Sequence, residues 1–143
     1  MHMEANKLLI AEDNEIDLFL LRRALDETGF LYNAEIATNG QDALLLLHRP
    51  PQNFTGIILD LNLVTHTGIQ ILAQIREIPT FVNTAVVILT SSSSPKDRRT
   101  ALSLGASAVL VKPLDLDEWT DLGRQIKDLF SLPDASNDRS SPL

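Results

Sequence analysis

The stretch KLLIAEDNEIDLFLL at residues 7–21 begins with an apolar run and continues with acidic residues in an amphipathic pattern. The run at 8–11 has the length of a buried strand. Four carboxylates follow it at once: Glu12, Asp13, Glu15 and Asp17. Two carboxylates about 4 Å apart repel each other by roughly 4 kcal/mol near a protein surface. We therefore expect something, such as a bound cation, to offset this repulsion.

The bulk composition limits the class of function. The 143 residues correspond to one domain, and 44% hydrophobic with 22% charged residues is ordinary for a soluble globular protein. A net charge of −7 argues against nucleic-acid binding and favours a cation or a basic partner surface. The chain lacks cysteine, which excludes disulfides and thiolate metal sites. No apolar run approaches the roughly 20 residues of a membrane span, so we expect a cytoplasmic location without membrane contact.

Apolar segments and helical patterns alternate along the chain. Four further strands are predicted at 34–38, 57–61, 85–90 and 108–112. Five helices are predicted at 15–28, 41–48, 68–77, 95–105 and 115–129. The apolar stripe of the first helix comprises Ile16, Leu20, Leu21, Ala24 and Leu25. Capping boxes are predicted at Ser94 with Asp97 and at Asp115 with Glu118.

This fivefold β-α alternation predicts an α/β fold, a doubly wound five-stranded parallel sheet in three layers, α/β/α. We expect one domain at 7–130, preceded at 1–6 by an N-terminal extension or cloning remnant. The polar, Pro- and Ser-containing tail at 131–143 is predicted to be disordered.

Ligands of such sheets bind beyond the carboxyl ends of the strands. The residues delivered there are Glu12, Asp13, Asp60, Thr90 and Lys112. Clustered carboxylates suit Mg²⁺, which prefers oxygen ligands. An ammonium and a hydroxyl suit phosphoryl oxygens, and a carboxylate beside a metal can act as a nucleophile that forms an aspartyl phosphate.

Each of these residues also has a structural interpretation. Asp13 or Asn14 could simply cap the first helix, and Thr90 could be an ordinary strand end. Lys112 could be a solvated strand end. Asp60 is harder to explain in this way, because it lies inside the apolar sequence IILDLNL, where burial is costly. Their joint placement at strand ends favours a functional site.

With these motifs, residues 7–129 resemble the response-regulator receiver domain, the CheY-like phosphoacceptor of two-component signalling. The matching motifs are IAEDN, ILDLN, ILTSS and VKP. Asp60 precedes Gly68, Thr90 and Lys112 by 8, 30 and 52 residues, which fits the family register. The resemblance implies a flavodoxin-like sheet of order 2-1-3-4-5 with five helices.

The resemblance also implies a role for each site residue. Asp60 would be the phosphoacceptor. Asp13 and Asp60 would bind Mg²⁺ directly, the backbone carbonyl of Asn62 would be a further ligand, and Glu12 would assist through water. Mn²⁺ or Ca²⁺ could substitute for Mg²⁺. The phosphoryl group would be contacted by Thr90, Ser91 and Lys112. Such a domain is a signalling domain rather than an enzyme, although it assists its own phosphorylation and dephosphorylation.

The implied phosphodonor is a sensor histidine kinase. The sequences EDNEIDLFLLRRAL and KPLDLDEW resemble the stand-alone receivers that serve bacterial phytochromes. No residues remain for an effector domain, so output would pass through another protein or through self-association, including a homodimer. The surface expected to change is that of the fourth helix, fifth strand and fifth helix.

Three positions depart from common receiver sequences. Val64 stands where Pro is frequent, and Leu114 stands where Phe is frequent. Val109 stands where many receivers have an aromatic residue that moves together with the Thr of the switch. With Thr90 and Val109 as the switch pair, output would have to use helix displacement or dimer rearrangement instead.

Two other functions fit parts of the sequence. An aspartate-nucleophile phosphatase usually has a second Asp two residues after the nucleophile, where this chain has Asn62. A degenerate receiver would bind partners without phosphorylation, and Val109 mildly favours it. Among remaining residues, Phe19 projects away from the apolar stripe and, with Ile16 and Leu18, could form a kinase docking surface. Trp119 is expected in the core, or alternatively in a dimer interface.

Overall fold

The computed structural model describes residues 6–92 and 94–131, in which strands and helices alternate. The strands are β1 (Asn6–Ala11), β2 (Tyr32–Ala37), β3 (Gly56–Asp60), β4 (Ala85–Thr90) and β5 (Ala108–Val111). The helices are α1 (Glu15–Glu27), α2 (Gly40–His48), α3 (Gly68–Ile75), α4 (Pro95–Ser103) and α5 (Leu116–Ser131). A short 3₁₀ helix, Pro79–Phe81, precedes β4. The predicted extension and tail lie outside the described residues, except for Asn6 in β1 and Ser131 in α5.

The strands form one parallel sheet of order β2-β1-β3-β4-β5, which confirms the predicted fold. The register places Ala11 beside Leu59, and Thr90 beside Val111. The carboxyl ends of β1, β3, β4 and β5 therefore meet along one edge of the sheet. No helix among residues 6–92 and 94–131 is both long enough and apolar enough to cross a membrane.

Two apolar cores cover the two faces of the sheet. Alternate residues of β1 point to opposite faces, so that Leu8 and Ile10 join one core while Leu9 and Ala11 join the other. The first core includes residues of α1 and α5, and the second includes residues of α2, α3 and α4. Trp119 is 4% exposed and belongs to the first core, which confirms the core prediction rather than the interface alternative.

The apolar stripe predicted for α1 is wrong at its first position. Leu21, Ala24 and Leu25 are buried as expected, but Ile16 is 70% exposed. Ile16 lies in the first turn of α1, where the helix extends beyond the apolar core. Phe19 is also exposed, as its position on the helix predicts. The N-terminal half of α1 therefore presents two apolar side chains, Ile16 and Phe19, to solvent.

Helix caps differ in part from the prediction. Asn14, not Asp13, caps α1 by accepting a hydrogen bond from the Asp17 N–H. Ser94 caps α4 through the Asp97 N–H, but its own N–H donates to Ser92 Oγ, so the reciprocal half of the predicted capping box is replaced.

The Asp115 carboxylate likewise accepts from the Glu118 N–H, which is the forward half of the predicted box at α5. A complete capping box joins Thr67 and Gln70 at the start of α3, where none was predicted.

Candidate functional site

Three carboxylates meet at the carboxyl edge of the sheet. Glu12 and Asp13 follow β1, and Asp60 ends β3. One carboxylate oxygen of each residue lies within 4.8 Å of a carboxylate oxygen of each of the other two. Glu12 and Asp60 are buried, whereas Asp13 is exposed. Oxygen donors at this spacing, open to solvent on one side, suit a hard divalent cation that keeps part of its water shell.

The Lys112 ammonium lies among buried carboxylates next to this cluster. Its Nζ is 2.9 Å from Glu12 Oε1, 3.1 Å from Asp60 Oδ2 and 2.9 Å from Asp17 Oδ2. Burial acts to lower the pKa of Lys112, but the hydrogen bonds to Asp17 and Glu12 outweigh it and raise the pKa above its ordinary value. Lys112 therefore remains a cation and uses its three N–H donors within the site.

Asp17 is the site residue that the sequence-based prediction missed. Asp17 does not follow a strand. It lies in the first turn of α1, three residues after the Asn14 cap, and its carboxylate reaches Lys112 from there. The only signal in the sequence was its place among the crowded acidic residues after β1. Since 95 residues separate Asp17 from Lys112, the periodicity of α1 could not reveal the pair.

Glu12 is almost completely buried, with 2% of its surface exposed. Burial and, to a smaller extent, the neighbouring Asp60 carboxylate raise the pKa of Glu12 to about 7, although Lys112 acts in the opposite direction. One Glu12 oxygen also accepts the Asn14 N–H at 3.1 Å. Glu12 therefore holds its proton more tightly than an ordinary carboxyl group, and a bound cation would favour its ionised form.

The backbone around Asp60 fixes the position of its carboxylate. Asp60 Oδ1 accepts the Asn62 N–H at 3.1 Å, and the Leu61 N–H donates to Leu89 O in β4 at 2.8 Å. Gly68 starts α3 against this strand end, where a Cβ atom would come within 2.6 Å of the Asp60 carbonyl oxygen. A side chain at position 68 would therefore displace the backbone of Asp60.

The loop between β3 and α3 is held against the start of α2. The Gly40 N–H donates to Val64 O at 2.8 Å, and the Gln41 N–H donates to Thr65 Oγ at 3.0 Å. Thr65 has φ 76°, a left-handed conformation that is unusual for a β-branched residue. Hydrogen bonds to α2 hold this loop, which has Val64 in place of the frequent Pro.

The predicted phosphoryl-binding residues lie at the ends of β4 and β5. Thr90 is buried, and its Oγ accepts the Ser92 N–H at 2.9 Å, while Ser91 is exposed. The Lys112 N–H donates to Thr90 O at 2.7 Å, which joins the two strand ends. Val109 is buried in β5 beside Ile88, on the face of the sheet covered by α4.

His48 and His66 lie outside this cluster. His48 Nδ1 is 2.9 Å from Leu44 O within α2, and His66 Nδ1 is 3.0 Å from Thr65 Oγ. His66 also packs against Gly40. Both side chains have local structural contacts.

A family model, "Response regulator receiver domain", matches residues 8–122. Among curated proteins, the chain is 32% identical over 127 residues to the "Probable methanogenesis regulatory protein FilR2" of Methanothrix harundinacea, covering 86% of this chain and 82% of that protein. It spans about half the length of several other curated relatives, between 44% and 56%.

Two solved structures are similar in fold. The phosphorylated cyanobacterial phytochrome response regulator RcpA has a TM-score of 0.82 at 24% identity, covering 89% of this chain and 94% of RcpA. The Mn²⁺-bound response regulator Rcp1 has a TM-score of 0.80 at 24% identity, covering 90% of this chain and 98% of Rcp1. At this identity, both likenesses show the fold alone.

Proposed function

The chain belongs to the response regulator receiver family, and from that premise we propose that it accepts a phosphoryl group from a sensor histidine kinase onto Asp60. Such a transfer forms a bond between an Asp60 carboxylate oxygen and phosphorus. The bond between phosphorus and the imidazole nitrogen of the kinase breaks, and the imidazole leaves with the electron pair. The observation that carries this proposal is the placement of Asp60 between two acidic side chains and the Lys112 ammonium.

Mg²⁺ is the proposed cofactor, because the donor set is made of oxygens. Glu12, Asp13, Asp60 and the backbone carbonyl of Asn62 would hold it. When bound, the metal would neutralise carboxylate charge and attract a phosphoryl oxygen. Mn²⁺ and Ca²⁺ are proposed substitutes, and the relative Rcp1 is described as Mn²⁺-bound.

The neighbouring polar residues have proposed roles toward the phosphoryl group. Lys112 supplies an ammonium 3.1 Å from Asp60 Oδ2, so it can pair with a phosphoryl oxygen once Asp60 is modified. Thr90 offers a hydroxyl at the adjacent strand end, and the small, exposed Ser91 keeps the approach open. Thr90 and Lys112 would stabilise the phosphoryl group once it is attached, and the domain as a whole would assist both its own phosphorylation and its dephosphorylation.

The proposed docking surface for the kinase is apolar and lies beside the site. Ile16 and Phe19 in α1, and Leu114 and Leu116 after Lys112, are all exposed. Leu18, which was also considered, packs partly against the core and contributes less. A bacterial phytochrome is the kinase that the flanking sequences favour, and RcpA is described as a phytochrome response regulator.

Output is proposed to pass through changed protein contacts of α4, β5 and α5, either with another protein or in a homodimer. Val109 is too short to act as the aromatic half of a Thr90 switch. Phosphorylation would therefore shift α4 or rearrange a dimer, biasing an equilibrium between existing conformations.

Intact mass spectrometry after incubation with acetyl phosphate and Mg²⁺ tests the proposal. We expect the wild type to gain about 80 Da, one phosphoryl group, and Asp60→Asn to gain nothing. The matched control is Asp26→Asn, which removes a carboxylate at the far end of α1 and should be labelled like the wild type. An equal gain by wild type and Asp60→Asn would remove Asp60 from this role.

A further inference from the structure

A cavity of about 200 Å³ lies between α4 and the carboxyl-terminal halves of β4 and β5. Its apolar wall is formed by Leu61, Ile88, Val109 and Val111. Ile88 and Thr90 of β4 lie beside Val109 and Val111 of β5, respectively, on the neighbouring strand. The short Val109 side chain leaves space above this part of the sheet that the residues of α4 do not fill.

The other wall of the cavity is polar. Thr90 and Ser92 contribute hydroxyl groups, and Asp97 and Arg98 contribute charged groups from α4. Arg98 Nη1 donates to Val109 O at 2.9 Å, a bond that holds α4 close to β5 at the cavity. Thr90 Oγ accepts the Ser92 N–H, and no residue among 6–92 and 94–131 accepts the hydrogen of its hydroxyl group.

Size and chemistry together restrict the ligand. An apolar cavity of about 150 Å³ holds one benzene molecule, so the volume here is sufficient for one aromatic ring with a small substituent. The hydroxyl groups of Thr90 and Ser92 would favour a ring that carries one polar group. A charged ligand is disfavoured, because Leu61, Ile88 and Val109 are buried apolar residues.

We propose that this cavity binds a single-ring aromatic molecule of the phenol class, and that its occupancy is coupled through Thr90 to the chemistry of Asp60. The proposed binding depends only on the cavity. The proposed coupling rests on the proposed phosphorylation of Asp60.

Thr90 provides the physical basis of the coupling, because it belongs to both places. Its side chain lines the cavity, and its backbone carbonyl accepts the Lys112 N–H at 2.7 Å. A ligand that fixes the Thr90 hydroxyl on the cavity side withdraws it from a phosphoryl oxygen. Binding free energies are reciprocal, so phosphorylation would in turn weaken ligand binding.

Titration of the full chain with p-cresol, followed by amide NMR without phosphodonor, tests the binding. We expect saturable shifts of residues 88–90 and 109–111, with a dissociation constant on the order of 1 mM. Toluene, which lacks the hydroxyl, should bind about tenfold more weakly. Val109→Phe fills the cavity and should abolish the shifts, whereas Val82→Phe, at an exposed position, should leave them unchanged.

Val109→Ala provides a second test that does not require a larger core residue. It enlarges the cavity, so we expect the two-ring molecule indole to gain affinity relative to p-cresol. Absence of saturable shifts in the wild type, or equal shifts in Val109→Phe, would overturn the binding site.

The coupling is tested separately on the phosphorylated chain. Saturating p-cresol should shorten the lifetime of the acyl phosphate at least about twofold, because Thr90 is withdrawn from it. An unchanged lifetime in the presence of bound p-cresol would overturn the coupling alone. Failure of phosphorylation itself would be evident from the mass of the protein without p-cresol.

Discussion

Lys112 Nζ lies 2.9 Å from Asp17 Oδ2, although the two residues are 95 positions apart. The pair joins α1 to the end of β5 directly beside the Asp60 carboxylate. α1 and α5 pack on the same face of the sheet, and this packing brings Asp17 within reach. Asp17 therefore contributes to the position of the ammonium that is proposed to meet the phosphoryl group.

Substitution Asp17→Asn should lower the pKa of Lys112 toward its ordinary value, because the hydrogen-bonded partner at position 17 loses its negative charge. It should also decrease the free energy of unfolding by roughly 1–2 kcal/mol. The ¹³C signal of Lys112 Cε, followed as a function of pH, measures the first effect. Asp121→Asn, which removes an exposed pair with Arg124, is the control and should change neither quantity measurably. An unchanged Lys112 titration would refute the positioning role of Asp17.

Substitution Lys112→Ala should preserve Mg²⁺ binding, because Lys112 is a competing cation rather than a ligand of the metal. Calorimetric titration should give an affinity equal to or higher than that of the wild type. The amide spectrum should nevertheless change little when acetyl phosphate is added, since the phosphoryl group has lost its ammonium partner. Lys127→Ala, whose Nζ contacts Thr28 O away from the site, should behave like the wild type. Loss of Mg²⁺ affinity in Lys112→Ala would contradict this division of roles.

Glu12 should make the metal-free protein less stable as the pH rises. Its pKa is raised by burial to about 7 in the folded protein, against 4.5 ordinarily, so the folded state holds this proton more tightly than the unfolded state. The stabilising contribution is complete below about pH 4.5 and is lost as the pH rises through about 7. We expect this loss to amount to roughly 3 kcal/mol.

Urea unfolding in EDTA between these pH values measures the effect. Glu12→Gln should lack this part of the pH dependence, whereas Glu15→Gln, at an exposed position, should retain it. Addition of Mg²⁺ to the wild type should restore stability most strongly at the higher pH. The same pH dependence in wild type and Glu12→Gln would show that another group is responsible.

Arg76 should be a major contributor to stability without belonging to the site. Its guanidinium donates to the carbonyl oxygens of Phe81 at 2.9 Å, Thr84 at 3.0 Å and Gly105 at 2.6 Å. It therefore joins the end of α3 to the segments before β4 and β5. Arg76→Met should decrease the free energy of unfolding by roughly 2–4 kcal/mol, because three carbonyl groups, two of them partly buried, lose their donor together.

Chemical denaturation of Arg76→Met and of Arg124→Met compares a half-buried arginine with an exposed one. The second substitution should cost less than about 0.5 kcal/mol. Equal losses in the two variants would mean that the carbonyl contacts of Arg76 are not what stabilises this end of the molecule.

The alternation of apolar strands and amphipathic helices was sufficient to predict the parallel sheet and most element bounds to within two residues, whereas the strand order was implied by the resemblance to receiver domains. Residues 85–90 were predicted as a strand and form β4 with the same limits. The residues after the strands were also predictable, because parallel strands place their carboxyl ends at one edge. Glu12, Asp13 and Asp60 meet there as expected.

Contacts between distant elements could not be read from periodicity. The sequence does not distinguish Asn14 from Asp13 as the cap of α1. It also does not show that Ile16 lies beyond the apolar core, or that Asp17 contacts Lys112. Periodicity assigns a side chain to a face of its own helix or strand, whereas a contact depends on how closely two such elements pack. That distance is set by all the side chains between them, and here the packing of α1 and α5 on one face of the sheet brings Asp17 to Lys112.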